Sequence, residues 1–278
     1  MNNPYSLHSF INQVSKNLQQ QGFGNAKNEI IWYLESLKVC NREQIYINSI
    51  DFNKSIQNTI QIFYNKRIKG IPFQYILKKS TFYGRDFYIN EHTLIPRPET
   101  ELIVSILHNN FFNNALEIGT GSGILAITLS LESIIGEIIA TDISSQALEV
   151  AKQNIKTFKI ENILLHKHNF LTQSLQGKFD LIVSNPPYIS NEEYNSLPNS
   201  IKNYEPKIAL TDKTDGLSFY LRFADILNHI INPGGLFICE LGTSQSIINI
   251  KNLFTDKGYE YQILKDLNGD DRILKIIF

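Results

Sequence analysis

The 278 residues are 42% hydrophobic and 19% charged, apolar enough for one large domain and a smaller one, and too apolar for a disordered scaffold. A formal net charge of −1 excludes the basic overall balance of a non-specific nucleic-acid binder; short runs such as "NKRIK" and "KKS" read as solvated face. The two cysteines, Cys40 and Cys239, are far apart and supply neither a disulfide framework nor a zinc site, so they read as buried thiols of a reducing compartment.

The opening stretch "MNNPYSLHSFINQ" lacks the basic-then-apolar order of a secretory signal, and no apolar run reaches bilayer length. A soluble cytoplasmic protein is expected. Up to about residue 68 the pattern is helical. Leu7, Phe10, Ile11 and Val14 recur at i, i+3, i+4, i+7, as do Ile30, Ile31, Leu34 and Leu37, and Ile56, Ile60, Phe63, Tyr64 and Arg67 share a third face. This predicts a small helical domain over residues 1–70, serving as a packing extension or in recognising a partner. Residues 72–90, "PFQYILKKSTFYGRDFYIN", alternate aromatics around Gly84 and predict a β-hairpin within a linker at 71–92. In "TLIPRPETE" the two prolines force an extended approach, and Glu99 or Thr100 is placed to cap a helix starting near Glu101.

From residue 93 to 278 the chain predicts strands at 115–119, 137–142, 162–167, 179–184, 236–241, 259–265 and 272–277, most of them separated by helices. Near-continuous apolar strands alternating with helices mean a parallel sheet covered on both faces. The last two strands, joined only by "DLNGDD", must be antiparallel. An α/β, Rossmann-like sheet of seven strands with one reversed strand near its edge is more typical of class I methyltransferases than of dehydrogenases, a likeness of fold alone.

"LEIGTGSGILAI" reads as strand, glycine turn, helix: Gly119, Gly121 and Gly123 allow backbone to approach a ligand, and the helix behind presents free N–H groups. The bland alternative is a tight strand-to-helix turn. Asp142, ending the next strand, adds a carboxylate able to accept both ribose hydroxyls of an adenosine-type cofactor. NAD and S-adenosylmethionine both fit that arrangement. The G-x-G-x-G spacing is one residue shorter than the dinucleotide fingerprint, which favours S-adenosylmethionine. Phe170, after the third strand, is placed either to stack on adenine or to pack as a core aromatic.

"DLIVSNPPYIS" runs an apolar strand into Asn185, Pro186, Pro187 and Tyr188 at the carboxyl edge of the sheet, where open α/β folds bind ligands. The prolines stiffen the loop, and Tyr188 offers a flat aromatic surface. The Asn185 side-chain oxygen and the Pro186 carbonyl can each accept one hydrogen of a planar NH2 group, directing its nitrogen at a methyl sulfonium. Holding both hydrogens favours the electron-rich nitrogen of the transition state, so no dedicated base is needed. This chemistry does not choose between exocyclic amines of DNA or RNA bases and the amide of glutamine. Glu240, in "ICELG", reads equally as a buried functional carboxylate or a solvated strand end. His166 and His168 alternate along a strand without neighbouring carboxylates, predicting surface histidines and no metal site.

Nearly end to end the chain resembles the release factor glutamine methyltransferases, through the helical N-terminal part, "FQYI", "FYGRDFYIN", "TLIPRPETE", "LEIGTGSG", "DLIVSNPPYI", "YEPKIAL", "GGLFICELG" and "DLNGDDRIL". Nucleic-acid amine methyltransferases share the tetrapeptide without that company. The resemblance implies methylation of the glutamine side-chain amide in the Gly-Gly-Gln motif of peptide chain release factors, with S-adenosylmethionine as cofactor and the helical domain recognising substrate. By this likeness Gly119, Thr120, Gly121, Ser122, Gly123, Asp142, Phe170 and Asn185 would contact the cofactor, and Asn185, Pro186, Pro187 and Tyr188 would hold the glutamine, with Asn185 and Pro186 catalytic. Arg97 and Glu99 would wall the entrance. Asn169-Phe170 stands where the family usually carries Asp-Trp or Asp-Leu, so weaker binding of the adenine amino group is expected. A DNA or RNA exocyclic-amine methyltransferase is the alternative activity, and a nucleotide-binding regulatory module without chemistry the alternative from another class.

Overall fold

The structure is a computed structural model that describes residues 6–47, 49–242 and 246–278. The chain divides into two compact units between Lys78 and Lys79. In the first, α1 (Leu7–Gln20), α2 (Ala26–Ser36), α3 (Arg42–Tyr46), α4 (Lys54–Ile68) and α5 (Phe73–Leu77) surround one apolar core. Ser6, Asn41 and Asn53 cap α1, α3 and α4 by accepting backbone N–H groups of the first turn. Leu7, Ile11, Val14 and Leu18 form the buried stripe of α1 and meet Ile30, Ile31 and Leu34 of α2 and Ile60 and Phe63 of α4. Arg67 is buried among them, forked onto Glu29 at 2.8 and 3.2 Å, donating to the Ile71 carbonyl at 2.7 Å and lying 4.3 Å over the Phe23 ring. The five-residue α3, with the single buried residue Ile45, is too short to show a period and was not anticipated from sequence.

The stretch predicted as a hairpin from residue 72 begins instead as the helix α5. Pro72, at φ −55° and ψ 140°, sits at its N-cap, and Phe73, Ile76 and Leu77, at i, i+3, i+4, join the helical core. Lys78, in the left-handed region at φ 53°, ends the helix, and the hairpin follows as β1 (Lys79–Phe82) and β2 (Arg85–Tyr88). "PET" is also not a cap: Pro98–Thr100 forms a 3-10 turn running into α6 (Glu101–Leu107), with Thr100 at helical φ −66° and its side chain turned elsewhere.

The second unit continues through β3 (Phe112–Ile118), α7 (Ile124–Leu131), β4 (Ile135–Asp142), α8 (Ser145–Phe158), β5 (Ile163–Lys167) and β6 (Phe179–Ser184). Three short helices, α9 (Asn191–Ser196), α10 (Asn199–Lys202) and α11 (Lys207–Leu210), precede α12 (Ser218–Ile230), β7 (Ile231–Glu240), α13 (Ser246–Asp256), β8 (Tyr261–Lys265) and β9 (Asp271–Ile277). The sheet order is β5-β4-β3-β6-β7-β9-β8, parallel except for β9, which is antiparallel to both neighbours. The seven-stranded, mostly parallel sheet with a reversed strand near its edge is the architecture the sequence predicts. Residues of a strand alternate between its two cores. Ala115, Leu181, Val183 and Ile238 pack under α6, α7 and the hairpin, whereas Leu116, Ile182, Phe237 and Cys239 pack under α12 and α13. Strand order reverses at β3, whose next strand lies on one side and β6 on the other, so the loops after β3 and β6 leave the same carboxyl edge on either side of a crevice.

Asn154 of α8 holds the hairpin to the glycine turn. Its amide oxygen accepts from Tyr88 N at 2.9 Å, and its amide nitrogen donates to the carbonyls of Tyr88 and Ser122 at 2.9 and 2.8 Å. Asn154→Ala is expected to leave these groups without partners and to lower stability by about 2–3 kcal/mol. A lower urea midpoint at unchanged slope checks it.

Candidate functional site

The turn after β3 is built by backbone geometry. Gly119, Gly121 and Gly123 have φ of 77°, 56° and 80°, in the region side chains avoid. The Gly119 and Thr120 N–H groups both donate to the Thr141 carbonyl, at 2.9 and 2.8 Å, which locks the turn to the end of β4. At Gly123 an added Cβ would stand 3.1 Å from that of Ala151, so this glycine serves the close packing of α7 on α8. The loop and the strand ends enclose a cavity of about 300 Å³.

Gly119, Thr120, Gly121 and Ser122 line that cavity, and Gly123 does not. Asp142 lines it from the end of β4, its two oxygens taking the N–H groups of Gly121 at 2.9 Å and Ser144 at 2.8 Å. Burial pushes its carboxyl up against those hydrogen bonds. Phe170 borders the cavity but is 4% exposed, packed against Phe223 at 4.6 Å and Phe219 at 5.7 Å between ring centres. It therefore forms part of the wall and of the core together. Asn169 also lines the cavity, and its amide oxygen already accepts Leu171 N at 3.1 Å.

Across the crevice Asn185 and Pro187 line the same cavity. The Asn185 amide nitrogen donates to the Thr100 hydroxyl at 2.9 Å, and the Thr100 hydroxyl donates to Glu240 Oε2 at 2.7 Å. Pro186 is buried and off the cavity lining. Tyr188 is off the cavity lining too: its hydroxyl donates to Glu240 Oε1 at 3.2 Å, and its ring lies so close to Gly242 that an added Cβ would come within 2.7 Å of Cδ2. Burial, then the adjacent Glu240, push the phenol well above its ordinary range. Arg97 lines the cavity and is held by the buried Glu205, 2.7 Å to Oε1, which also takes the Ile95 N–H at 3.2 Å. Glu99 is half-buried and not on the lining.

His168, expected at the surface, is 7% exposed and lines the cavity, because its backbone N–H donates to the Asp142 carbonyl at 2.9 Å and draws it under the sheet edge. Among the described residues no group of three His, Cys, Asp or Glu could hold a metal ion, and no helix is long and apolar enough to cross a membrane.

Sequence reasoning gives no site role to Glu205 or Glu117 and reads Thr100 only as a candidate helix cap. Glu117 is 3% exposed on β3 beside the cavity and accepts the Thr120 hydroxyl at 2.6 Å. Burial raises its carboxyl to about 7, against the hydrogen bonds of Thr120 and the Ala126 backbone, with Asp142 adding repulsion. The available signal was an acidic residue inside an apolar strand, two before the first glycine.

A family model for the Methyltransferase small domain matches residues 98–201, and one for the PrmC N-terminal domain matches residues 9–77. Over 279 residues the chain is 35% identical to the release factor glutamine methyltransferase of Bacillus anthracis, covering 96% of this chain and 98% of that one. The chain belongs to the release factor glutamine methyltransferase family. The Bacillus subtilis member is 39% identical over 74% of this chain and 75% of its own length. Among solved structures, a methyltransferase from Pyrococcus furiosus matches with a TM-score of 0.54 at 22% identity, covering 80% of this chain and 98% of that one, a likeness of fold. The second unit has the class I methyltransferase fold expected of this family, and the chain is a methyltransferase.

A carboxylate raised by burial has a definite stability signature. Glu117 binds its proton more tightly in the folded chain, at about 7 against an ordinary 4.5, so its ionised form costs stability as pH rises through 7, and the cost fades toward 4.5. Glu117→Gln is therefore expected to raise the melting temperature of the ligand-free protein at pH 8, by the equivalent of about 2–3 kcal/mol, with the gain shrinking toward pH 5. Melting curves of both proteins at the two pH values check the sign.

Proposed function

We propose that this family member methylates the side-chain amide nitrogen of the glutamine in the Gly-Gly-Gln motif of release factors, with S-adenosylmethionine as donor. The observation that carries the reading is the state of Asn185. Its NH2 is already used by Thr100, which leaves its carbonyl oxygen as the group for a substrate N–H at the cavity wall.

The cavity's donor set fits the cofactor. Asp142, with both oxygens anchored by backbone N–H groups, keeps lone pairs for the two ribose hydroxyls. Glu117, a buried carboxylate without a Lys or Arg in salt-bridge contact among the described residues, fits an ammonium group. Two buried carboxylates beside the glycine turn would repel a pyrophosphate, which argues against a dinucleotide. When bound, the cofactor supplies an electrophilic methyl group on a sulfonium.

Around that group the chain's own residues orient and exclude. The Asn185 oxygen at the cavity wall would accept one amide hydrogen and the backbone carbonyl of Pro186, a residue otherwise buried off the lining, the other. This sets the nitrogen lone pair toward the methyl group and stabilises the charge developing on the nitrogen; the methylated nitrogen, by then a strong acid, loses one of its protons to water. Pro187 stiffens the backbone that carries both acceptors. Tyr188, by this reading, contributes as an anchor of the loop through its hydroxyl. Arg97, fixed by Glu205, stands at the wall as a donor for a substrate carbonyl. The helical unit, matched over residues 9–77 by the PrmC N-terminal domain, is the candidate for substrate recognition, with Trp32, Tyr46 and Ile47 exposed on it. A nucleic-acid amine would fit the same pair of acceptors, but relatives at 35% and 39% identity carry the release factor name, so that alternative is not favoured.

Labelled methyl transfer to purified release factor, beside its Gln→Ala form and beside DNA and RNA, tests the reading: label on the first alone is expected, and label on nucleic acid would overturn the substrate. Asn185→Ala is expected to lower kcat by about 10²–10³-fold, as removal of one transition-state hydrogen-bonding group does elsewhere. Retained turnover would remove the role given to Asn185.

A further inference from the structure

The side chains behind Asn185 form a directed chain of hydrogen bonds. A threonine hydroxyl has one proton to give. With Glu240 ionised, its state above the pH of about 7 to which burial raises the carboxyl, the Thr100 proton goes to Glu240 Oε2, at 2.7 Å, because a carboxylate only accepts. The Thr100 oxygen is thereby left as an acceptor, and its other neighbour, the Asn185 amide at 2.9 Å, satisfies it through its NH2 end. With the amide flipped, the Asn185 oxygen would face the Thr100 lone pairs and no hydrogen bond would form. The orientation of the amide is thus dictated two side chains away.

Glu240 itself is 1% exposed, and no Lys or Arg lies in salt-bridge contact with it among the described residues. A buried, unpaired carboxylate is expensive, and a packed apolar residue would serve the core better. Its side-chain partners are the hydroxyls of Thr100 and Tyr188, one bonded to Asn185 and the other three residues along the same loop. The Tyr220 hydroxyl donates to the Glu240 backbone carbonyl at 2.9 Å and fixes the end of β7.

We propose that Glu240 is a positioning residue for methyl transfer: its carboxylate, acting through the Thr100 hydroxyl, holds the Asn185 amide with its oxygen toward the substrate nitrogen, while its second oxygen holds the loop through Tyr188. The proposal rests on Asn185 being the acceptor for that nitrogen. Glu240 touches neither substrate nor cofactor in this scheme, and Thr100 is its intermediary.

Thr100→Val keeps the shape and removes the hydroxyl, Thr100→Ala removes it without added bulk, and Thr100→Ser restores it. kcat and KM for the methyl acceptor, equilibrium binding of S-adenosylhomocysteine and the melting temperature are measured for each beside wild type. Both hydroxyl-free variants are expected to lose about tenfold or more in kcat, with KM and S-adenosylhomocysteine affinity within about threefold of wild type, and Thr100→Ser to recover kcat to within about threefold. Wild-type kcat in Thr100→Val or Thr100→Ala would overturn the proposal. So would a loss that Thr100→Ser shares, or one matched by an equal loss of S-adenosylhomocysteine binding. The series is run on whichever acceptor wild type methylates. A wild type inactive on release factor thus refutes the substrate, whereas the ratio between the threonine variants judges the relay.

Discussion

Two carboxylates, Glu117 on β3 and Glu240 on β7, are buried at the carboxyl ends of their strands with hydroxyls for partners and no cation in salt-bridge contact among the described residues. Much of the site follows from this arrangement. A sheet covered on both faces leaves its strand ends dry, and a carboxylate there is raised to about 7 by burial in each case. Hydroxyl partners relieve the carboxylate only in part, but they give it direction, because each has a single proton and gives it to the acid whenever the acid is ionised. The Thr120 hydroxyl is thus fixed on the glycine-turn side of the crevice and the Thr100 hydroxyl on the proline-loop side.

The scaffold brings these groups together through register. Parallel pairing sets Ile118 beside Thr141 on one flank and beside Ser184 on the other, so the glycine turn, Asp142 and Asn185 leave the sheet at one level. Backbone hydrogen bonds from Gly119 and Thr120 to Thr141 then fix the turn without any side chain, which is why residues of the turn can face a ligand. Asn154 extends the support backward, from the glycine turn to the hairpin. The cavity is consequently bounded by backbone amides on one side and by a side-chain network on the other.

What the sequence made legible is what depends on near neighbours in the chain. Strand and helix alternation, the glycine turn, Asp142 and the proline loop all announce themselves within a dozen residues. The remainder depends on pairing across long separations. Thr100 reads as a helix cap because only its neighbours are visible in sequence, yet its partners are 85 and 140 residues away. Tyr188 reads as an aromatic surface, but its hydroxyl finds Glu240 and its ring finds Gly242. Gly123 looks like a ligand contact until Ala151 of the next helix is placed against it. Glu117 lies inside the glycine motif without standing out, since nothing local says that a strand acid will be buried without a counter-ion. The stretch Phe73–Leu77 predicts strand from its aromatic alternation and is helical in the structure, short enough that both periods fit.

The insertion of β9 between β7 and β8 bears on how the protein is assembled. β7 is flanked on one side by β6, over Leu236 to Cys239, and on the other by β9, over Leu236 to Glu240. During synthesis the glycine turn, the proline loop and β7 itself all emerge before residues 271–277 exist to pair with that second flank. Until they do, the strand that ends in Glu240 is an open sheet edge with unpaired backbone groups, the kind of surface on which nascent chains pair with one another. The strand on which the Asn185 network hangs is therefore completed late, and a chain with all of its recognisable motifs already made still lacks the neighbour that seats them.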